Sequence, residues 1–242
     1  MKRVARLVMS LLAVFSYTAY SEVAEVPAPI KKIVMPVGFD NNDNVEITLV
    51  GKFPNLCYKV GRIGFTLDEA KHEIKVWATA LMHDQNSGFC AQVLNPFVQK
   101  IAVGVLETGD YTILLEDDSS LKTKFSVSRA TTNTPDEYHY APVSTAEFKV
   151  EADEQVVVLS GHYPRLYVGC MVMEDVRMSI NPKDVLVVQP IVKILENDEC
   201  DRNYKHYFSV KTVVPEHFVG EGVMHVRVSN GNSIINYIES DQ

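Results

Sequence analysis

The sequence has no apolar run long enough to span a membrane. A membrane-spanning helix needs about 20 consecutive apolar residues, whereas the apolar segment at residues 7–15 is short and contains a serine. Three basic residues precede this segment, and the small residues Ala19 and Ser21 follow it. This order is typical of a secretory signal peptide and not of a membrane anchor. We therefore predict a signal peptide at residues 1–21, cleavage before Glu22, and an exported chain, periplasmic or secreted, with no membrane span in its mature form.

Basic residues are also in short supply. The chain has 23 Lys and Arg against 31 Asp and Glu. Removing residues 1–21, which contain three basic and no acidic residues, leaves 20 basic and 31 acidic residues and a net charge of −11. Affinity for a phosphate backbone or an anionic lipid surface depends on Lys and Arg. We therefore expect no nucleic-acid partner and no docking to anionic lipid, and we interpret the acidic balance as favouring solubility.

Motifs for catalysis and for nucleotide binding are missing. The chain contains no Gly-x-Ser-x-Gly, no phosphate-binding glycine-rich loop and no His-Glu-x-x-His. None of the seven histidines is four residues from another, so none has the spacing of a helical zinc site. They are His72, His83, His139, His162, His206, His217 and His225. We expect surface or half-buried positions for them, and we predict no enzyme activity, no catalytic residue, no metal site and no cofactor.

The four cysteines predict disulfide bonds, because an even number of cysteines in an exported chain is typical of an oxidising compartment. They are Cys57, Cys90, Cys170 and Cys200. Four cysteines allow three pairings, and their spacing alone does not select one.

An internal repeat divides the chain into two copies. The motif Gly-x-aromatic-Pro-x-Leu begins at Gly51 and again at Gly161, each time after an apolar run. Further landmarks recur in the same order at offsets between 110 and 113 residues. They are Ala28-Pro29 with Ala141-Pro142, Phe97 with Phe208, and Gly109 with Gly220. A tandem duplication explains this order, and it selects one pairing within each copy, Cys57–Cys90 and Cys170–Cys200.

Short strand patterns dominate both copies. In residues 45–50, and again in residues 223–228, apolar residues alternate with polar ones, as they do in a half-buried strand. The candidate strands are 31–37, 45–50, 57–60, 74–77, 101–105, 111–115 and 125–127 in the first copy, and 148–150, 156–159, 185–188, 191–195, 208–214, 223–228 and 234–238 in the second. About seven short strands in about 100 residues are typical of a β-sandwich.

These patterns predict the domain organisation. We expect a first module at residues 22–130 and a second at 131–242, with a polar linker at about 128–140. The segment 67–73 is helix-like but too short to be stable on its own.

The predicted modules resemble immunoglobulin-like β-sandwiches in strand number and size. Their cysteines are closer together than in antibody domains, and Gly88 and Asp198 stand where such domains have a tyrosine before the second cysteine. The segment from Cys90 to Tyr111 also resembles small β-modules of uncharacterised bacterial exported proteins, which implies a fold and a compartment but no activity. The predicted fold class is therefore all-β, with two tandem immunoglobulin-like β-sandwich domains that each contain one disulfide.

Two acidic clusters and one aromatic motif are candidate binding sites. The clusters at 40–44 and 116–118 have closely spaced oxygen ligands of the kind that calcium prefers. Neither matches the twelve-residue calcium loop, and Asp- and Asn-rich turns are common for conformational reasons. The linker motif at 137–140, which contains Tyr138 and Tyr140, would either form a binding surface or pack one module against the other. We favour a turn for both clusters and packing for the aromatic motif.

Three functional hypotheses follow. The first is a non-enzymatic exported binding or structural protein that presents two duplicated modules to an envelope or extracellular partner protein. The alternative is a carbohydrate- or calcium-binding accessory module of the cell envelope. The third is an enzyme of unrecognised type, which would require a polar pocket that holds ionisable groups with shifted pKa values.

Peptide mapping without reduction tests the cysteine pairing. We expect one linked peptide pair containing Cys57 with Cys90 and another containing Cys170 with Cys200. A link between Cys57 and Cys170, or between Cys90 and Cys200, would contradict the duplication as the basis of the pairing.

Overall fold

The computed structural model describes residues 23–83, 90–181, 185–196, 198–200, 206–216, 218 and 222–238. Within these ranges the chain forms fifteen β-strands, two single-turn 3-10 helices and no α-helix. No helix in this part of the chain is long and apolar enough to cross a membrane. The prediction of an all-β chain is confirmed.

Eight strands form the first module as two sheets. They are β1 Ala24–Pro27, β2 Ile30–Val34, β3 Val45–Phe53, β4 Tyr58–Asp68, β5 Glu73–Met82, β6 Asn95–Gly104, β7 Gly109–Leu115 and β8 Lys122–Val127. The first outer sheet contains β4, β5, β7 and β8, with β1 also paired to β5, and the first inner sheet has the order β2-β3-β6. Paired strands are antiparallel except for β5 and β7, which are parallel.

Seven strands form the second module. They are β9 Val143–Glu151, β10 Glu154–His162, β11 Met171–Ile180, β12 Val185–Ile194, β13 Tyr207–Val213, β14 Gly222–Val228 and β15 Asn232–Ile238. The second outer sheet has the order β9-β10-β13, and the second inner sheet has the order β11-β12-β14-β15, in which β12 and β14 are parallel.

The two modules share one pairing scheme. The sheet β2-β3-β6 corresponds to β9-β10-β13, and β4-β5-β7-β8 corresponds to β11-β12-β14-β15. Each four-strand set contains one parallel pair at the same place in the chain order. This shared topology agrees with the duplication that the repeat predicts, and the parallel pair distinguishes both modules from the antiparallel sheets of antibody domains.

Both predicted disulfides are present. Cys57 bonds to Cys90 and Cys170 bonds to Cys200, with Cα–Cα distances of 5.5 and 4.4 Å. In each module the first cysteine lies directly before the third strand of the shared scheme, β4 or β11, and the second precedes β6 or β13. The bridges therefore close equivalent ends of the two sandwiches, and each closes a loop of roughly 30 residues, which contributes about 3–4 kcal/mol in the chain-entropy model.

The two inner sheets pack against each other, so the chain forms four layers of β-sheet. Val34 of β2 and Val50 of β3 form one apolar cluster with Val185 of β12 and Val223 of β14. Each module also has a separate core between its own two sheets. In each inner sheet, one face packs on the core of its own module and the other face is covered by the other module. The outward faces of the two outer sheets lie away from this contact.

The central strands β3 and β14 are buried on both faces. In β3, Ile47 and Leu49 point into the first module's core, while Glu46 and Val50 point toward the second module. In β14, Met224 and Val226 likewise point into the second module's core, and the residues that alternate with them point toward the first module. Period-two alternation therefore assigns one side of each strand to its own core and the other side to the partner module.

Several sequence predictions are corrected here. The expected half-buried strand at 223–228 is almost fully buried, and His225 on its polar side is only 1% exposed. Strand β11 was not predicted at all, and the segments 185–188 and 191–195 form one strand, β12. The helix-like segment 67–73 contains only a single 3-10 turn at Glu69–Lys71, which Asp68 caps.

The landmarks of the repeat meet at one point in each module. The rings of Phe53 and Phe97 stack with centroids 4.2 Å apart beside Gly51. A Cβ atom at Gly51 would lie 2.4 Å from Cζ of Phe97 and 2.5 Å from the carbonyl oxygen of Pro29. In the second module, a Cβ atom at Gly161 would lie 2.3 Å from the oxygen of Pro142. The glycine of the repeated motif is therefore explained by a packing contact at which any side chain would clash.

Replacing these glycines should destabilise the fold. In Gly51→Ala and Gly161→Ala the added methyl meets a backbone oxygen that cannot rotate away, so we expect each variant to lose about 1–3 kcal/mol of unfolding free energy. Urea denaturation of the full chain measures this loss, and Ser179→Ala at an exposed position of β11 is a control. Wild-type stability in both glycine variants would contradict the packing argument.

Candidate functional site

The acidic turn at 40–44 joins the first module to the linker. The Asp43 carboxylate accepts a hydrogen bond from the Asp40 backbone N–H at 3.0 Å, and the Asn41 side-chain oxygen accepts one from the Ala130 N–H at 2.7 Å. The Asn42 side chain donates to the Thr132 carbonyl at 2.9 Å. Side-chain oxygens of Asp40, Asn41 and Asp43 accept bonds from the chain's own N–H groups, which favours the turn interpretation over a calcium site.

Arg227 connects this turn to the linker. Its Nη2 atom lies 3.0 Å from an Asp136 carboxylate oxygen and 3.5 Å from an Asp43 carboxylate oxygen. Burial raises the pKa of Asp43, while the bond from the Asp40 N–H and the Arg227 charge oppose this rise. The second Asp136 oxygen accepts a bond from the Gly231 N–H at 3.2 Å. One guanidinium thus holds together the first module, the linker and the second module.

The aromatic linker motif packs against the second module. Tyr140 is 5% exposed, its hydroxyl accepts a bond from the Gln189 amide at 3.1 Å, and its ring lies 5.6 Å from the Arg227 guanidinium. Tyr138 contacts the Arg177 guanidinium, which donates to its hydroxyl at 3.0 Å. Tyr140 thus packs against the second module, whereas Tyr138 is 37% exposed, and the contact between modules that we expected from this motif stays a prediction.

A second polar group lies deeper between the inner sheets. Glu46 of β3 is 4% exposed. One of its carboxylate oxygens lies 2.8 Å from Lys100 Nζ of β6. The other lies 3.2 Å from His225 Nε2 of β14 and accepts a bond from the Ser233 hydroxyl of β15. Lys100 also donates to the Ser233 carbonyl at 3.2 Å. We call these four residues the interface lock, since two come from each module.

The ionisation states within the interface lock follow from burial and hydrogen bonding. Burial opposes ionisation of Glu46, but bonds from His225, Lys100 and Ser233 outweigh it and lower the Glu46 pKa to about 2. Burial lowers the pKa of His225, and its bond to Glu46 only partly offsets this effect. The His225 Nδ1 atom has no hydrogen-bond partner among the described residues, so a proton there would be unsatisfied. At neutral pH the arrangement is a Glu46–Lys100 ion pair with a neutral imidazole that donates from Nε2.

This arrangement is suited to holding the modules together. Glu46 and His225 are sealed from solvent, and the carboxylate that could act as a base is committed to three donors.

A small cleft of about 70 Å³ lies between the modules near Asp43, Glu137 and Arg227. This volume is far below the 300 Å³ or more of a typical small-molecule site.

The remaining predicted site residues do not form one cluster. In the second acidic cluster, the Asp118 carboxylate accepts bonds from the Ser120 N–H and hydroxyl, at 3.0 and 2.6 Å, which closes the turn between β7 and β8. The His72 ring stacks on Tyr111 with centroids 4.6 Å apart. His217 and Gly220 lie outside the described residues. No group of three or more acidic, histidine or cysteine side chains in the described part of the chain is placed to hold a metal ion.

Comparison with known proteins gives one partial likeness. A family model described as the ORF11 beta-sandwich domain matches residues 47–127, which run from β3 to the end of β8 and make up about a third of the chain. The first module is therefore similar to that domain and is a β-sandwich. Among curated proteins and solved structures, none matches the chain significantly.

Acid should weaken the chain in two pH ranges. The folded pKa of His225 lies below its ordinary 6.5, so the unfolded state takes up this proton first and stability falls as the pH drops below about 6.5. The folded pKa of Glu46 is about 2 against an ordinary 4.5, so a second loss follows between pH 4.5 and 2. Thermal denaturation between pH 7.5 and 2.5 measures both losses.

The variant Glu46→Gln should remove the lower loss and cost about 3 kcal/mol at pH 7, because Lys100 is left with a neutral partner. Glu174→Gln, on an exposed position of β11, is the matched control. An unchanged stability curve in Glu46→Gln would show that the interface lock contributes nothing to the fold.

Proposed function

We propose that this protein is a non-catalytic exported binding protein, which presents the disulfide-bearing ends of its two modules to a partner protein in the envelope or the extracellular space. The observation that carries the proposal is the last residue of the repeated motif. Packing explains the glycine and the aromatic residue of this motif, and also the recurring phenylalanine, Phe97 or Phe208. The leucine instead points into solvent in both copies. Leu56 is 53% exposed and Leu166 is 91% exposed.

These leucines stand among other exposed apolar side chains. Val93 and Leu94 are 58% and 66% exposed on the segment that follows Cys90, and Tyr167 is 41% exposed beside Leu166. Scattered apolar residues are ordinary on protein surfaces, whereas grouped ones mark interaction sites. The exposed leucine recurs at the same place in the two copies, which supports a role for it other than packing within the fold.

The disulfides support the same interpretation. Cys57 directly follows Leu56, and Cys170 lies four residues after Leu166. A bridge that restrains the leucine's loop lowers the entropy lost when a partner is bound. Two disulfides are also typical of proteins that mature in an oxidising compartment, which agrees with the predicted signal peptide at residues 1–21.

The inside of the molecule supports a non-catalytic role. The grouped ionisable residues at the module interface are buried or half-buried and paired with one another, and this structural contact explains the shifted pKa values of Asp43, Glu46 and His225. A catalytic site needs such groups in a cleft that admits substrate, and Glu46 and His225 are enclosed between the two inner sheets.

Site-specific photocrosslinking tests the proposal. A benzophenone amino acid is placed at Leu56 or at Leu166 in the full chain, which is expressed in its native host. We expect the same partner protein to be crosslinked from both positions in the envelope or secreted fraction, on a chain whose mature form begins at Glu22.

Matched control positions lie at the opposite ends of the sandwiches. Val105 follows β6 and is 59% exposed, and Val150 near the end of β9 is 62% exposed. Crosslinks from Leu56 and Leu166 but not from these valines would support the proposal, and Leu56→Ser with Leu166→Ser should then reduce recovery of the partner at least tenfold. Equal crosslinking at all four positions, or none at any, would refute it.

A further inference from the structure

The only tryptophan of the chain lies on the outward face of the first outer sheet. Ile74, Val76 and Ala78 of β5 point into the core, so Trp77 between them points away from it. The second module covers the inner sheet on the other side, and this outward face lies away from the module contact.

A glycine makes room for the indole. Trp77 is paired across the sheet with Gly64 of β4. A Cβ atom at Gly64 would lie 2.5 Å from Cζ2 and 2.8 Å from Cε2 of the indole. The ring therefore occupies the space directly above Gly64, where any side chain would displace it. Gly64 thus leaves room for the ring, and Trp77 is one of the residues that line an open pocket.

The pocket is large enough for a sugar ring. Its volume is about 320 Å³, within the range of small-molecule sites. One wall is a fixed polar group in which Arg62 donates two bonds to the Glu25 carboxylate, at 2.9 and 2.8 Å. The Thr79 hydroxyl donates to the same carboxylate at 2.6 Å. These bonds hold the guanidinium and the carboxylate in place before any ligand arrives, which reduces the entropy cost of binding.

The opposite wall is acidic. Glu116 and Asp117 are both exposed and both line the pocket. The backbone N–H of Glu116 is bonded to the Val76 carbonyl at 2.9 Å, which fixes this wall relative to β5. With Glu25 and Arg62 balancing each other, the pocket carries two excess negative charges, and these would repel an anionic ligand.

We propose that Trp77 is the stacking platform of a glycan-binding site that takes neutral sugars. The apolar C–H face of a pyranose matches the flat indole, and aromatic stacking adds to the area that is buried. The ring hydroxyls can donate to the carboxylates and accept from the guanidinium. Uronic acids and phosphates are excluded by Glu116 and Asp117. A quaternary ammonium ion is disfavoured because the pocket has one aromatic ring and already contains a guanidinium.

This inference rests on the proposed function, since it names a second ligand for an exported binding protein. The two are independent experimentally. The partner protein is assigned to the disulfide-bearing ends, while the glycan site lies on the outward sheet face. Failure of glycan binding would leave the crosslinking test untouched, and the reverse also holds.

Because Trp77 is the sole tryptophan, its fluorescence reports on this pocket alone. The mature full chain is titrated with cellohexaose, chitohexaose and maltohexaose, with polygalacturonate as an anionic probe and tetramethylammonium as a cationic probe. We expect at least one neutral oligosaccharide to shift or quench the emission in a saturable manner, and we expect neither charged probe to do so.

Three variants locate the effect. Trp77→Ala should lower affinity at least tenfold by calorimetry. Gly64→Ala keeps the fluorophore but displaces the ring, and it should lower affinity by about fivefold even if Trp77→Ala fails to fold. Tyr207→Ala, which removes a 47% exposed aromatic ring from the second module, is the matched control and should bind as the wild type does.

The outcomes decide between the ligand classes. A neutral glycan that binds wild type and the Tyr207 variant, and binds the Gly64 variant more weakly, supports the site. No response to any of the three neutral oligosaccharides at millimolar concentration overturns it. Saturable binding of tetramethylammonium or polygalacturonate in their place also overturns it.

Discussion

Burial of β3 and β14 on both faces is the constraint on which the rest of the structure depends. A strand with one face in its own core normally leaves the other face to water. Here the second face of each strand is covered by the other module, so every second residue must suit a protein–protein contact. Val50 and Val223 suit it by being apolar. Glu46 and His225 are tolerated there because they are hydrogen-bonded to each other, and Glu46 also to Lys100 and Ser233.

Charged residues in this contact are better explained by specificity than by stability. An exchange of a buried ion pair for apolar residues is often neutral or stabilising, whereas loss of one partner is costly. Glu46 must meet His225 and Ser233 of the second module, and a shift of the sheets by one residue would remove both bonds and leave the buried carboxylate only Lys100 of the adjacent strand β6. The valines around it would tolerate such a shift. We infer that the interface lock fixes the register of the two inner sheets, while the apolar cluster provides most of the attraction.

Features that depend on short stretches of chain could be predicted from the sequence, and features that depend on the module contact could not. The repeat predicts both disulfide pairs. Gly51 and Gly161 mark the same packing contact in the two copies, so the repeat assigns two cysteines to each copy. His225 was expected on a half-exposed face because its partner, Glu46, lies 179 residues away in the chain. Strand β11 was missed since a bulge between Met173 and Asp175 interrupts its period-two pattern. In β4, two glycines and a similar bulge conceal a strand of eleven residues.

After the duplication, the outward face of the second outer sheet diverged from the sheet face that forms the module contact. The contact is heterologous: the first module uses its three-strand sheet and the second uses its four-strand sheet, so in principle further modules could add without end. The offset of 110 places Ser160 at the position of Val50 and Val156 at that of Glu46, so the second outer sheet lacks both the valine and the carboxylate that the interface uses. Its strands β9 and β13 instead carry exposed ion pairs, Lys149 with Glu147 and Lys211 with Glu151. Exposed, self-paired charges resist desolvation by another apolar sheet face, so divergence after duplication has left this face unsuited to the contact that its counterpart in the first module makes.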